Sequence, residues 1–160
     1  MEPDIRILLQ IIVACVLAGI LGWERESAGK AAGLRTHILV GVAAAMFIVI
    51  GESMAASFRI YGDHVRFDAA NLIGAIVTGI SFLGAGMIIF RKGRSGIEGL
   101  TTAAGILTTA AIGMMVGLER YVLAAGSTLI VFIVLRFVSW IEPRGNKKKL
   151  ASAGPPKEEK

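Results

Sequence analysis

Five long apolar runs constrain the fold more than any other feature of the sequence. The hydrocarbon core of a bilayer is about 30 Å thick, so a helix rising about 1.5 Å per residue needs roughly 20 apolar residues to cross it. The runs that reach this length are 5–23, 37–58, 69–90, 100–118 and 121–141. We therefore expect an all-α, polytopic membrane bundle of about five transmembrane helices over residues 1–142.

The composition agrees with this architecture. A hydrophobic content of 54% and a mean hydropathy of +0.68 are too high for a water-soluble domain of this size. Inside the five runs the formally charged residues are Arg6, Glu52 and Arg136, all near run ends, where long side chains reach the interface. The first run begins after acidic residues, whereas a cleaved signal peptide begins with basic ones, so we expect a retained helix.

The distribution of basic residues predicts the orientation. Lys and Arg accumulate in short cytoplasmic loops, and alternate connections here carry twelve basic residues on one side and four on the other. This places the amino terminus outside and the carboxyl terminus inside. Residues 143–160 form a basic cytoplasmic tail with too little apolar content to fold, and we expect it to be disordered. Its lysines could contact anionic headgroups, or act only as a topogenic signal.

Small residues recur at four-residue steps in the fourth run, and such spacing lets helix backbones approach closely in lipid. We expect close helix packing, within one subunit or a homo-oligomer, in preference to a pore lining. A secondary transporter is disfavoured, because no carboxylate lies at mid-membrane depth. The expected packing positions are, in the third run, Gly84 and Gly86, and, in the fourth run, Gly105, Thr109, Gly113 and Gly117, where Thr101 begins the series.

Two polar loops, on the predicted cytoplasmic side, end in the same pattern, Gly-Leu-x-Thr, at the start of the second and fourth runs. The two patterns begin at Gly33 and Gly99, which leaves a tandem repeat of two helical hairpins open as an interpretation. A helix start presents free backbone amides and a partial positive charge, so each end attracts anions, with Thr side chains as candidate caps.

These helix ends form the candidate site, whose residues are Glu24, Arg25, Arg35, Thr36, His37, Glu98, Thr101 and Thr102. Mutual ion pairs, such as Glu24 with Arg35 or Glu98 with Arg25, are favoured over any ligand. The alternatives left open are a phosphate-bearing lipid headgroup or nucleotide on the basic residues, and a magnesium ion on Glu24 and Glu98. We expect no other cofactor, and the metal site stays unassigned beyond these two candidates.

Enzymatic function is disfavoured by the residues present. The sequence contains no Ser/His/Asp set, no phosphate-binding loop and no carboxylate pair poised for acid and base chemistry. The only cysteine, Cys15, lies inside the first run and is expected to be a packing residue. We expect a non-enzymatic protein whose partners include membrane lipids and exclude nucleic acid.

Two motifs in the chain closely resemble the MgtC/SapB family. They are Leu-Gly-Trp-Glu-Arg-Glu with Ala-Gly-Leu-Arg-Thr-His, over 21–37, and Phe-Leu-Gly-Ala-Gly with Gly-Leu-Thr-Thr-Ala-Ala, over 82–104. The resemblance covers residues 5–142. Its motifs fall on Glu24, Arg25, Gly33, Leu34, Arg35, Thr36 and His37, and on Gly84, Gly86, Gly99, Leu100, Thr101 and Thr102.

The resemblance implies a multi-pass protein of the bacterial inner membrane, linked to growth under magnesium limitation and, in pathogens, to virulence inside host cells. Some family members are thought to restrain the proton-translocating ATP synthase by contact within the membrane, and direct magnesium transport is doubted. Many members carry a soluble carboxyl-terminal domain, whereas this sequence stops shortly after its fifth run.

Three functional hypotheses follow. The first is a regulator of magnesium homeostasis that acts by contact with another membrane protein, such as the ATP synthase, or with itself. The alternative is a small cation or solute transporter or channel, formed by the bundle or its oligomer, with Glu24 and Glu98 at its mouth. A third is a sensor of lipid or nucleotide that uses the basic loops.

Overall fold

The computed structural model describes residues 3–58, 68–89 and 99–141, which form five helices and no strand. The helices are α1 (Pro3–Ser27), α2 (Leu34–Phe58), α3 (Ala69–Ile89), α4 (Leu100–Gly117) and α5 (Tyr121–Ile141). The all-α membrane bundle predicted by the apolar runs is confirmed, and α1 to α4 are each long and apolar enough to cross a bilayer. In α5 the described apolar stretch, Tyr121–Phe137, is shorter. The fifth crossing and the orientation of the termini stay predictions.

The first two helices extend beyond their apolar runs toward each other. The first continues past Trp23 to Ser27, and the second begins at Leu34 instead of His37. Hydropathy locates only the part of a helix that matches the bilayer core. Glu and Arg are good helix formers, so the polar residues after Trp23 prolong the helix.

A tight turn over residues 28–33 joins α1 to α2. Gly29 adopts a left-handed conformation, with φ of 65°, immediately after the helix. Its amide donates to the Glu26 carbonyl at 2.9 Å, and the Lys30 amide donates to the Arg25 carbonyl at 3.0 Å. This pair of bonds is a Schellman motif, which satisfies the last carbonyls of α1 and reverses the chain.

The centre of the bundle consists of α1, α2 and α4. The most extensive contacts join α2 to α1 and to α4, whereas α5 packs on α1 and α4, and α3 packs mainly on α4. Residues such as Ala14, Ala45, Ile112 and Val116 are almost fully buried in this centre. One end of the bundle carries the 28–33 turn and the other carries residues 118–120; we call them the 28–33 end and the 118–120 end.

The α2–α4 interface depends on glycine. A Cβ on Gly113 would overlap the carbonyl group of Gly41, lying 2.9 Å from its carbon. A Cβ on Gly117 would lie 2.8 Å from the carbonyl oxygen of Ala45. The two backbones therefore touch over this length, with Thr109 fully buried between them. Its hydroxyl donates to the Gly105 carbonyl at 2.8 Å, so it places no unpaired polar group in the interface.

The two glycines of α3 that the sequence predicts as packing positions differ from each other. Gly84 is buried, and a Cβ there would lie 3.2 Å from the Cβ of Ala103 on α4. A Cβ on Gly86 would meet no atom of the described residues within 4 Å. Residues 84 and 86 are two positions apart, which turns them by about 200° around a helix, so only one of them can face α4.

Candidate functional site

A buried ion pair occupies the 28–33 end. Glu24 and Arg25 are only 4% and 2% exposed, and the guanidinium Nε of Arg25 donates to a carboxylate oxygen of Glu24 at 2.5 Å. Charges withdrawn from water are tolerated when they are paired and hydrogen-bonded, so the two neighbours neutralise each other. The expected pairing of Glu24 with Arg35 is replaced by this contact within α1, and Arg35 is exposed. The second expected pair involves Glu98, which lies outside the described residues.

His37 lies fully buried between α1 and α4, in the first turns of α2. Its Nδ1 lies 2.9 Å from the carbonyl oxygen of Gly33, which can only accept, so Nδ1 carries a proton and donates. The other ring nitrogen, Nε2, has no hydrogen-bond partner among the residues that the structure describes. It faces α4 at Gly105, where an added Cβ would lie 3.6 Å from it. The imidazole thus presents an unsatisfied buried nitrogen to the α2–α4 interface.

On its other side, His37 fits against α1 because residue 22 is glycine. A Cβ on Gly22 would lie 2.9 Å from the Cβ of His37 and 2.8 Å from the Cα of Leu34. No side chain can be accommodated there without moving backbone. The Leu-Gly of the first motif therefore has a structural role, which is to seat the Gly-Leu-Arg-Thr-His segment of the same motif against α1.

The amino terminus of α2 is already bonded to a carboxylate of its own chain. Glu26, in the last turn of α1, accepts a hydrogen bond from the first helical amide, that of Leu34, at 2.8 Å. An acidic group is favoured at this position by the positive end of the helix dipole. The anion expected at this helix start is thus supplied, at least in part, by Glu26. Thr36, expected as a cap, is exposed to the surroundings of the bundle.

The start of α4 is arranged differently. Gly99 precedes it with φ of 107°, and no side chain in the described part of the protein forms a hydrogen bond at this cap. Thr101 is exposed, whereas Thr102 is only 4% exposed. Of the predicted site residues, the structure brings Glu24, Arg25, His37 and Thr102 into the bundle interior at its 28–33 end, and leaves Arg35, Thr36 and Thr101 outside.

A second polar cluster, at the 118–120 end, lies outside the sequence-predicted site. Glu119 pairs with Arg6 and accepts a hydrogen bond from the side-chain amide of Gln10 at 3.0 Å. Gln10 is only 3% exposed, and within the described ranges its Oε1 has no hydrogen-bond partner. The spacing of Arg6 and Gln10, four residues apart on one helix face, was the available signal. Their common partner, Glu119, lies 109 residues beyond Gln10, so the sequence contained no signal for this contact.

Neither cluster contains a preformed metal site. Within the described ranges, no group of three or more His, Cys, Asp or Glu side chains lies close enough together to hold an ion. Glu24, one of the two metal candidates, is bonded to Arg25, and the other, Glu98, lies beyond the described part of the chain. The metal assignment stays open.

Comparison with known proteins identifies relatives over most of the chain. The model of the MgtC family matches residues 11–144. The chain is 40% identical over 128 residues to "Putative magnesium transporter YhiD" of Escherichia coli (strain K12), covering 80% of this chain and 58% of the relative. No solved structure matches it.

Two further relatives extend the match. Protein SapB of Bacillus subtilis (strain 168) is 34% identical over 140 residues, covering 88% of this chain and 59% of SapB. Protein MgtC of Salmonella typhimurium (strain LT2) is 34% identical over 148 residues, covering 92% of this chain and 58% of MgtC. The chain thus spans less than two thirds of the length of these three relatives.

Proposed function

The chain belongs to the MgtC family, and from this premise we propose that it is a non-enzymatic regulator of magnesium homeostasis in the bacterial inner membrane. It acts by contact between helices, either with another membrane protein or with a second copy of itself. The proton-translocating ATP synthase is the candidate partner that the family resemblance implies. The observation that carries the proposal is the contrast between a closed bundle centre and open faces on its peripheral helices.

The bundle centre leaves little room for a permeant solute. At the level of Gly41 the three central helices are in direct contact. A Cβ on that glycine would lie 2.6 Å from the Cβ of Ala18 on α1 and 3.5 Å from Cγ2 of Thr109 on α4. A hydrated path needs polar groups and space, and backbone contact provides neither.

The peripheral helices present the opposite character. On α3 and α5, Cβ atoms added to Gly74, Gly86 and Gly126 would meet no atom of the described residues within 4 Å. Beside them stand large apolar side chains such as Phe82, 79% exposed, and Val122, 87% exposed. Small residues that admit a second backbone, next to side chains that can interdigitate with it, are what helix association in lipid requires. By contrast, Gly19 and Gly22 of α1 already contact α2.

Site-specific photocrosslinking in native membranes tests this function. A photoreactive residue is placed at Phe82 on α3 or Val122 on α5, and at Ile12 on α1 as the matched control. Ile12 is 56% exposed, so random collisions in the bilayer would label it as well. We expect a defined crosslinked product at position 82 or 122, in larger amount under magnesium limitation. We expect no product at position 12. Monomers alone at all three positions would contradict the proposal.

Transport is the second candidate. The name of YhiD links that relative to magnesium transport, and the buried Glu24, Arg25 and His37 place polar groups inside one end of the bundle. Proteoliposomes loaded with a magnesium indicator distinguish the two functions. Magnesium influx above that of protein-free vesicles would favour the transporter, and no flux above protein-free vesicles would favour the regulator.

A further inference from the structure

An apolar groove runs between α2 and α3 on the outside of the bundle. It has a volume of about 660 Å³ and is lined only by apolar residues and glycine, including Leu39, Ala43 and Phe47 of α2 and Leu72 and Leu83 of α3. Grooves that hold small molecules fall in the range of about 300–1,000 Å³. The groove exists because α3 packs mainly on α4 and makes few contacts with α2.

The length of the groove is similar to the thickness of one leaflet. On α2 it extends from Leu39 to Phe47, which is roughly 12 Å at the rise of a helix, and on α3 from Leu72 to Leu83, roughly 16 Å. One leaflet of the hydrocarbon core is about 15 Å deep. Leu39 and Leu83 lie toward the 28–33 end, whereas Phe47 and Leu72 lie farther from it, Leu72 only three residues after the start of α3.

A basic side chain, that of Arg35, lies one helical turn beyond the Leu39 end of the groove. Arg35 precedes Leu39 by four residues, which places both on one face of α2, and the same face continues through Ala43 and Phe47. Arg35 is exposed, and within the described part of the chain it forms no ion pair. Its guanidinium can reach the headgroup level, where lipid phosphates lie, because long basic side chains extend toward the interface from helix ends.

We propose that this groove binds one acyl chain of an anionic phospholipid, whose phosphate pairs with Arg35. The occupant is a lipid because the groove is about as long as one leaflet is thick and a basic side chain, Arg35, lies one helical turn beyond its Leu39 end. A second copy of the chain, packing helix against helix on this face, would have to bury the Arg35 guanidinium in the contact. This inference depends only on insertion in a membrane, so its test is independent of the proposed regulatory function.

Native mass spectrometry of the purified protein, titrated with phosphatidylglycerol or phosphatidylcholine, measures the binding. We expect phosphatidylglycerol to bind more tightly, and Arg35→Gln to weaken it about fivefold, the effect of one interfacial charge. Lys30→Gln is the matched control, because it removes an exposed charge at the same end but outside α2, and we expect it to leave binding unchanged.

Filling the groove tests the position of the acyl chain. Gly79 lines the groove and has no atom within 4 Å of an added Cβ, so Gly79→Leu should fold and occlude it. Ala43→Leu is a second filling variant, and Gly126→Leu on α5 is the control outside the groove. We expect both filling variants to lose the bound lipid and the control to keep it. Unchanged binding in the filling variants, or equal binding of the two lipids, would overturn the proposal. So would a change of oligomeric state without loss of lipid.

Discussion

Gly113 of α4 lies directly on the carbonyl group of Gly41 of α2, and this contact sets the distance between the two central helices. No other residue fits at position 113, because an added Cβ would lie 2.9 Å from the carbonyl carbon and 3.0 Å from the Cα of Gly41. The neighbouring helix cannot yield as a flexible side chain would, since the obstructing atoms are backbone. The close approach that lets α1, α2 and α4 exclude lipid from the centre therefore depends on two glycines.

Replacing Gly113 by Ala should separate these helices and destabilise the bundle by about 1–3 kcal/mol, the usual cost of overpacking. The matched control is Gly126→Ala on α5, where the added Cβ meets no atom within 4 Å. We expect the control to be neutral or stabilising by up to about 1 kcal/mol, from helix propensity alone. Thermal unfolding in detergent, followed by circular dichroism, measures both. Equal midpoints for the two variants would show that the contact does not limit packing.

Sequence spacing can indicate a packing surface of this kind, whereas it cannot indicate the contacts of a polar site. Four-residue spacing places Gly105, Gly113 and Gly117 on one face whatever the neighbouring helix is, because the period of a helix is a local property. The same reasoning identified an open position, Gly86, since spacing does not show which face of α3 meets a partner.

The limits of hydropathy explain the remaining differences. Apolar length predicted five helices, but not the polar turn that extends α1 to Ser27, because Glu24 and Arg25 in that turn are buried as an ion pair and not against lipid. The pairing of Glu24 could not be read from charge alone, since several cations lie within reach of it in the sequence. Burial selects Arg25, and burial is known only once α2 and α4 are in place.

The buried pair of Glu24 and Arg25 should respond more strongly to losing one partner than to losing both. Glu24→Gln leaves the guanidinium uncompensated in a site only 2% exposed, which typically costs about 3–5 kcal/mol. Changing Arg25→Met in the same chain removes the remaining charge and should recover a large part of that cost. A double-mutant cycle from denaturant unfolding in detergent measures the coupling. Additive effects of the two substitutions would show that the charges do not depend on each other.

The unpartnered nitrogen of His37 offers a way to stabilise the protein. A Cβ at position 105 would lie 3.6 Å from Nε2, an ordinary contact, so Gly105→Ala should be tolerated. Gly105→Ser adds a hydroxyl that can donate to this acceptor, and we expect it to be about 1 kcal/mol more stable than the Ala variant. Comparing Ser with Ala isolates the hydrogen bond from the helix propensity of glycine. An Ala variant as stable as the Ser variant would show that Nε2 gains no partner.

We expect the opposite result on the other side of His37, where it contacts Gly22 of α1. Gly22→Ala brings a Cβ within 2.8 Å of the Cα of Leu34 and within 2.9 Å of the Cβ of His37. We expect a loss of about 1–3 kcal/mol, since backbone must move to relieve the contact. Gly105→Ala is the natural control, because it approaches the same imidazole without overlap. If both alanine variants unfolded at the same temperature, α1 would not seat α2 through this glycine.

At the 118–120 end, Glu119 adopts a left-handed conformation, with φ of 59°, that residues other than glycine rarely adopt. Its amide donates to the Val116 carbonyl at 2.9 Å and the Arg120 amide to the Met115 carbonyl at 2.8 Å, the Schellman bonds that end α4. Glycine would suit this position better, yet the carboxylate is what joins α4 to Arg6 and Gln10 on α1.

Two substitutions separate the backbone effect at Glu119 from the side-chain effect. Both Glu119→Gly and Glu119→Ala lose the carboxylate and leave the buried Gln10 amide with only the distant Gly117 carbonyl, 3.4 Å away. Only the Ala variant keeps a Cβ in the left-handed region, so it should be less stable than the Gly variant by about 1–2 kcal/mol. Unfolding in detergent measures this difference, and a Gly variant no more stable than the Ala variant would show that the conformation relaxes once its side-chain contacts are lost. A Gly variant more stable than the natural chain would mean that the contacts to α1 contribute less than the strained backbone costs.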